Sequence, residues 1–182
     1  RAWNWLALRG EPTFKPASTN ALQQRGQYLV EGPGHCAACH SPRTAFMTQD
    51  GTRTGDANYL TGGVLAGWSA PALHGSGTPI ANWTTSELAA YLATGRNAHS
   101  AANGEMALAV EHSLAYLTDN DLNAIAVYLK ALDGKLASEV PSKVAATGPR
   151  AIPAAKADAA GEATAKLLSA ANPDMALGPR LY

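Results

Sequence analysis

The sequence predicts an all-α domain in which three main helices and Gly/Pro-rich loops fold around one bound group. Three stretches carry apolar residues at helical spacing, each opened by a capping residue. Between positions 41 and 82, Gly and Pro recur and no alternating strand pattern survives, so that stretch reads as loops and turns. Three helices joined by such loops bury little apolar surface by themselves, and the loops make better sense as the lining of something large and flat.

The elements follow in chain order. Residues 1–16 form an apolar-aromatic lead, "RAWNWLALRG", and a Pro-containing connection. Residues 17–133 form the compact domain. Its first helix has Ser18 or Thr19 as the expected cap, with Leu22, Gly26, Leu29 and Val30 on one face. The second opens on "TTSE", where Thr84 and Glu87 have capping-box spacing. Leu88, Tyr91 and Leu92 share its face and Gly95 ends it. The third opens at Thr118, carries the stripe Leu122, Ile125, Ala126, Leu129 and Leu132, and stops at Gly134. Residues 134–182 read as an Ala/Pro-rich linker and a C-terminal extension.

Composition narrows the function classes. Of 182 residues, 46% are apolar and only 15% charged, with 14 Lys+Arg against 14 Asp+Glu. The absence of a basic excess points away from nucleic acid. No apolar run is long enough to span a bilayer. The chain begins at Arg1 with no signal-peptide pattern, and is expected to be a processed chain or a fragment. Trp3, Trp5, Leu6 and Leu8 are suited to a membrane or partner contact, or to packing on a neighbouring domain.

The chemistry sits in the string Cys36-Ala37-Ala38-Cys39-His40. C-x-x-C-H is the attachment signature of c-type haem. The spacing lets two thiols form thioethers to one macrocycle edge while His40 turns its imidazole to the iron. A structural zinc site needs four ligands and finds no second Cys pair. A thioredoxin-like pair needs a parallel-sheet context that is absent. A plain disulfide leaves His40 unexplained. For the second axial ligand, Met and His suit low-spin electron transfer. Met47 follows His40 closely and Met175 lies beyond the linker, which leaves Met106, expected in the loop between the second and third helices. The competing role for Met106 is core filler. His35, His74, His99 and His112 are expected as solvated surface residues.

The order helix, C-x-x-C-H, Gly/Pro-rich loops, helix, Met, helix resembles the class I cytochrome c fold. "PALHG" resembles the segment whose Pro carbonyl accepts the proximal His N–H. This implies that Pro71 orients His40 and that Leu73 packs on the haem face. "NWTTSELAAYL" resembles the segment whose Trp donates to a haem propionate, which assigns that role to Trp83; a core Trp is the alternative. Arg96 is a further propionate partner, or a solvated Arg. "RGQYLVEGPGHCAACHSPR", "YLTGGVLAGWSAPAL", "YLATGRNAHSAANGEMA" and "YLTDNDLNAIAVYLKAL" are similar to multihaem cytochrome c subunits of membrane-associated bacterial dehydrogenases acting on alcohols, gluconate or related sugars and aldehydes. Those subunits usually carry three haem c domains, and this chain most resembles the middle one. "RAWNWLALRG" looks like the connection from a preceding domain and "GPRLY" like the approach to a following one. The departure is that only one C-x-x-C-H is present.

The resemblance implies one covalent haem c with His40 and Met106 as iron ligands. It also implies a relay from a dehydrogenase catalytic subunit toward further haem domains, quinone or a terminal oxidase, with no substrate chemistry of the chain's own. The expected place is the periplasmic face of the inner membrane, with membrane association through the complex. Two alternatives differ in class: an independent single-haem periplasmic carrier, and a haem enzyme with an open sixth position.

Overall fold

In the computed structural model, residues 14–65 and 67–133 are described. The lead with Trp3, Trp5, Leu6 and Leu8, the stop at Gly134, and Met175 lie outside them. Among the described residues the fold is mainly helical, with five α-helices and one two-stranded antiparallel hairpin.

Helix α1 spans Ala21–Glu31. Its cap is Asn20 rather than Ser18 or Thr19: the Asn20 carboxamide oxygen accepts from Leu22 N (2.9 Å) and Gln23 N (3.1 Å). Gly26, Leu29 and Val30 are buried as the periodicity predicts, and Leu22 is half-buried. Gln23 and Gln27 are buried with them. Gln27 is satisfied by Ala17 N, the Lys15 carbonyl and Glu31.

Helix α2 is the single turn Ala37–His40 that holds the Cys/His string. The hairpin follows, β1 Gly63–Leu65 and β2 Trp68–Ala70, paired Gly63 to Ala70, Val64 to Ser69 and Leu65 to Trp68. This corrects the expectation of loops alone. Strands of three residues are too short to display alternation.

Helix α3 spans Thr85–Thr94 and has both halves of the expected capping box. Thr84 Oγ1 accepts from Glu87 N (3.1 Å), and the Glu87 carboxylate accepts from Thr84 N (2.8 Å). Gly95 ends it in the left-handed conformation (φ 74°), donating to the Tyr91 carbonyl.

Helix α4, Gly104–His112, stands where a loop was expected. Its apolar residues do not form one stripe: Val110 is its only buried residue and Leu108 is exposed. Asn103, at the cap position, makes no side-chain cap hydrogen bond. Helix α5 spans Asp119–Ala131 and is capped by Thr118 as expected. It is buried without a break from Leu122 to Leu129, because α1 packs on one side of it and α3 on another. The α1–α5 approach is set by Gly26, where a Cβ would lie 2.0 Å from the Ala124 carbonyl oxygen. Among the described residues no helix is long and apolar enough to cross a membrane.

Candidate functional site

The site is built on the turn after α1. Cys36 starts α2, and Cys39 N and His40 N both donate to its carbonyl (3.2 and 2.9 Å). One helical turn therefore sets the two cysteines and His40 side by side. Both thiols are free and half-buried. The Arg43 guanidinium donates to the Ala38 carbonyl (2.7 Å) and stabilises the end of this turn. Burial pushes the Cys36 thiol up to about 11, and the neighbouring Cys39 adds to that rise.

A second segment fixes His40. The hairpin approach packs directly on the motif: Gly62 N donates to the His40 carbonyl at 2.7 Å. At Gly63 a Cβ would stand 2.5–2.6 Å from the carbonyl oxygens of Ser41 and Cys39. Ser41 Oγ accepts from Leu60 N (2.9 Å), and Leu73 N donates to the Leu60 carbonyl (2.9 Å). Leu60 is fully buried at φ 53°, a conformation that L residues rarely adopt. These bonds carry Pro71 to the imidazole, where His40 Nδ1 donates to the Pro71 carbonyl at 2.7 Å. Burial lowers the His40 pKa against the opposing effect of that carbonyl. The imidazole is therefore held neutral with Nδ1 protonated, and the lone pair lies on Nε2.

The remaining predicted residues converge on the same core. Leu73, Met106 and Cys36 are partly buried against a cluster that includes Trp83, Leu88, Leu122 and Ile125. Met106 is in the first turn of α4, not in a loop. Trp83 is buried, tilted against Tyr91 at 5.1 Å and stacked on His99 at 5.9 Å. Arg96 is exposed and pairs through its backbone with Ala101.

Of the other histidines, His35, His99 and His112 are exposed. His74 corrects the expectation of a solvated residue. It is partly buried, and its Nε2 donates to the Tyr59 carbonyl at 2.6 Å. Two features had no sequence signal. One is the exposed Trp68, whose ring lies against Gly104. The other is a partly buried hydrogen-bonded set, where Glu31 Oε1 accepts from Thr54 N (2.8 Å), Thr54 Oγ1 (2.7 Å) and Gln27 Nε2 (3.1 Å). Tyr128 OH extends that set to Tyr59 OH (3.1 Å). Burial holds the Tyr59 phenol far above its usual range and pushes Tyr128 up to about 12.

The donor set fits a covalently attached haem. It offers two free thiols one turn apart and, beside them, an imidazole with its Nε2 lone pair free for iron. It does not fit a metal ion held by side chains alone, since no group of three or more His, Cys, Asp or Glu converges among the described residues.

No family model matches the chain. It is similar to the gluconate 2-dehydrogenase cytochrome c subunit of Pantoea cypripedii, with 41% identity over 142 residues, covering 75% of this chain and 32% of that protein. It is similar to the fructose dehydrogenase cytochrome subunit of Gluconobacter japonicus, with 36% identity over 132 residues, 72% of this chain and 26% of that protein. It is 44% identical over 129 residues to the alcohol dehydrogenase (quinone) cytochrome c subunit of Gluconobacter oxydans, covering 66% and 27% of the two chains. The chain thus spans a third or less of the length of these three relatives.

Proposed function

We propose that this chain, a relative of dehydrogenase cytochrome c subunits, is an electron-transfer domain of the class I cytochrome c type, holding one haem c. Cys36 and Cys39 tether the group, and His40 Nε2 and the Met106 sulfur hold its iron. Bound there, the haem supplies a one-electron couple, and a Met ligand raises its potential relative to two His ligands. The observation that carries this reading is the 2.7 Å bond from His40 Nδ1 to the Pro71 carbonyl, beside two free thiols. That bond fixes both the tautomer and the ring plane of His40 before any ligand arrives, so His40 need not reorient when the electron count changes. Leu73, partly buried against the core, would line the apolar side of the site, and the buried Trp83 would supply an indole N–H to the haem's acidic groups.

In this reading the domain passes electrons from a dehydrogenase catalytic subunit toward further haem domains, quinone or a terminal oxidase. The work is done at the periplasmic face of the inner membrane. The balanced charge of 14 Lys+Arg and 14 Asp+Glu favours a standing complex over long-range steering of a diffusing carrier.

Mass spectrometry of the chain purified from the periplasm is expected to show one added macrocycle, absent from Cys36→Ala/Cys39→Ala. Free thiols with no added mass would overturn the attachment. In the oxidised holoprotein, Met106→Ala should abolish the weak long-wavelength sulfur-to-iron band and lower the potential. A band that survives the change removes Met106 as ligand and favours an open sixth position. Stopped-flow mixing with a reduced dehydrogenase catalytic subunit should reduce the haem, and no reduction would refute the partner.

A further inference from the structure

We infer that Trp68 is a positioning residue that clamps the first turn of α4, and through it Met106, onto the side of the molecule that carries the Cys/His motif. The inference rests on the reading of Met106 as an iron ligand. It begins from a weakness in α4. Asn103 makes no side-chain cap bond, and the backbone bond that opens the helix, Ala107 N to Asn103 O, is long at 3.4 Å. A helix start held by so little frays readily. Met106 nevertheless sits in that first turn, and an axial ligand must stay in place to within a fraction of an ångström.

The hold comes from the hairpin. At Gly104, the first residue of α4, a Cβ would stand 2.8 Å from Cδ2 and Cε2 of Trp68 and 2.9 Å from Cε3. The fused bond of the indole therefore lies over the Gly104 backbone, with no room for a side chain. Gly104 also has φ 53°. The other end of the hairpin is anchored on the motif, through Gly62 N to the His40 carbonyl and the close seat of Gly63 on Cys39 and Ser41. Three pairings, ending with Leu65 opposite Trp68, link the end of the hairpin seated beside His40 to the end that meets the α4 start. Trp68 remains 51% exposed, so its ring is held by Gly104 more than by the core. Burial alone does not account for its position.

The test uses the oxidised holoprotein with imidazole as the competing ligand. Imidazole enters only where Met106 has left, so its apparent Kd scales inversely with the fraction of open molecules. Trp68→Ala is expected to lower that Kd about tenfold, the response to a tenfold larger open fraction. Amide exchange should quicken at residues 104–108 and stay unchanged at 122–129. Trp68→Phe, which keeps a ring over Gly104, should restore most of the wild-type behaviour. Gly104→Ala should weaken Met106 strongly in the wild type and less in the Trp68→Ala background. The backbone strain at φ 53° is common to both, so the difference isolates the ring contact.

Unchanged imidazole affinity and exchange in Trp68→Ala, with the sulfur-to-iron band present in the wild type, overturns the clamp and leaves the ligand reading intact. Exchange that quickens equally at 122–129 overturns it as well, by showing a general loss of stability. A wild-type protein that lacks the band removes the ligand reading and the clamp together.

Discussion

At Gly26 two effects of one methyl group oppose each other. Alanine is the better helix former by about 1 kcal/mol. The added carbon, however, would lie 2.0 Å from the Ala124 carbonyl oxygen and 2.6 Å from Tyr128 Cβ. Overpacking against a helix backbone that cannot step aside costs about 3 kcal/mol. The clash wins, and Gly26→Ala should lower the unfolding free energy by roughly 2 kcal/mol, the difference between those two estimates. Denaturant titration of the protein measures it, and a variant as stable as the wild type would show that α1 and α5 can separate at little cost. The sequence placed Gly26 on the inner face of a helix by periodicity. It could not say which residue faces it, because Ala124 lies far along the chain. His40 and Pro71 became legible together only through the family resemblance, since the intervening chain returns by backbone bonds at Leu60 and Gly62 that leave no pattern in side chains.

Elements whose ends carry their own chemistry were readable. The Thr84–Glu87 box and Gly95 bound α3, and Thr118 caps α5. Elements held by distant partners were not. Helix α4 lacks both a side-chain cap and an apolar stripe, and the hairpin is too short for alternation to register. Asn20, not the hydroxyl residues before it, caps α1. Its carboxamide takes the two helix N–H groups, and Ser18 Oγ instead accepts from Asn20 N. The pairing of α1 with α5 also has an electrostatic clasp, Arg25 forked onto Asp121 at 2.8 and 3.2 Å. The hydrogen bond from Arg25 holds the Asp121 carboxyl below its ordinary 3.8, helped by Thr118 and opposed by partial burial. A depressed carboxylate contributes stability that is present above the unfolded pKa and lost as pH falls through the folded one. Arg25→Gln should therefore cause a small, salt-screened loss of stability at neutral pH. Its melting curve should converge with that of the wild type as the solution is acidified below pH 3.8. A gap that persists in acid would mean that Arg25 acts through packing on Tyr28, over whose ring it lies at 5.6 Å.

On the scale of the whole molecule, the two helices that pack most extensively come from opposite ends of the described chain. Helix α1 starts at Ala21 and α5 ends at Ala131, and the Cys/His turn, the hairpin and α3 lie between them in sequence. Behind that pairing, the Glu31 carboxylate binds Thr54 of the intervening loop and reaches Tyr128 of α5. Lys130 reaches from α5 to the carbonyls of Ile80 and Ala81 at 3.1 and 3.0 Å. The loop segments are thus tied to α1 and α5 as well as to one another, by partners far apart in the chain, which is why their arrangement could not be read locally.

That closure has a consequence for a broken chain. Gly55 is exposed at φ 97°, with nothing within 4 Å of the position a side chain would take, and such an open loop tip is where a protease cuts first. A single cut there separates the polypeptide carrying α1 and the Cys/His turn from the polypeptide carrying α3, α4 and α5. The α1–α5 face spans the cut, so the two pieces should elute together from a native sizing column, keep the absorption spectrum of the intact protein, and part only in denaturant. Pieces that drift apart in plain buffer would show that covalent continuity, and not the clasp of the first helix on the last, keeps this domain whole.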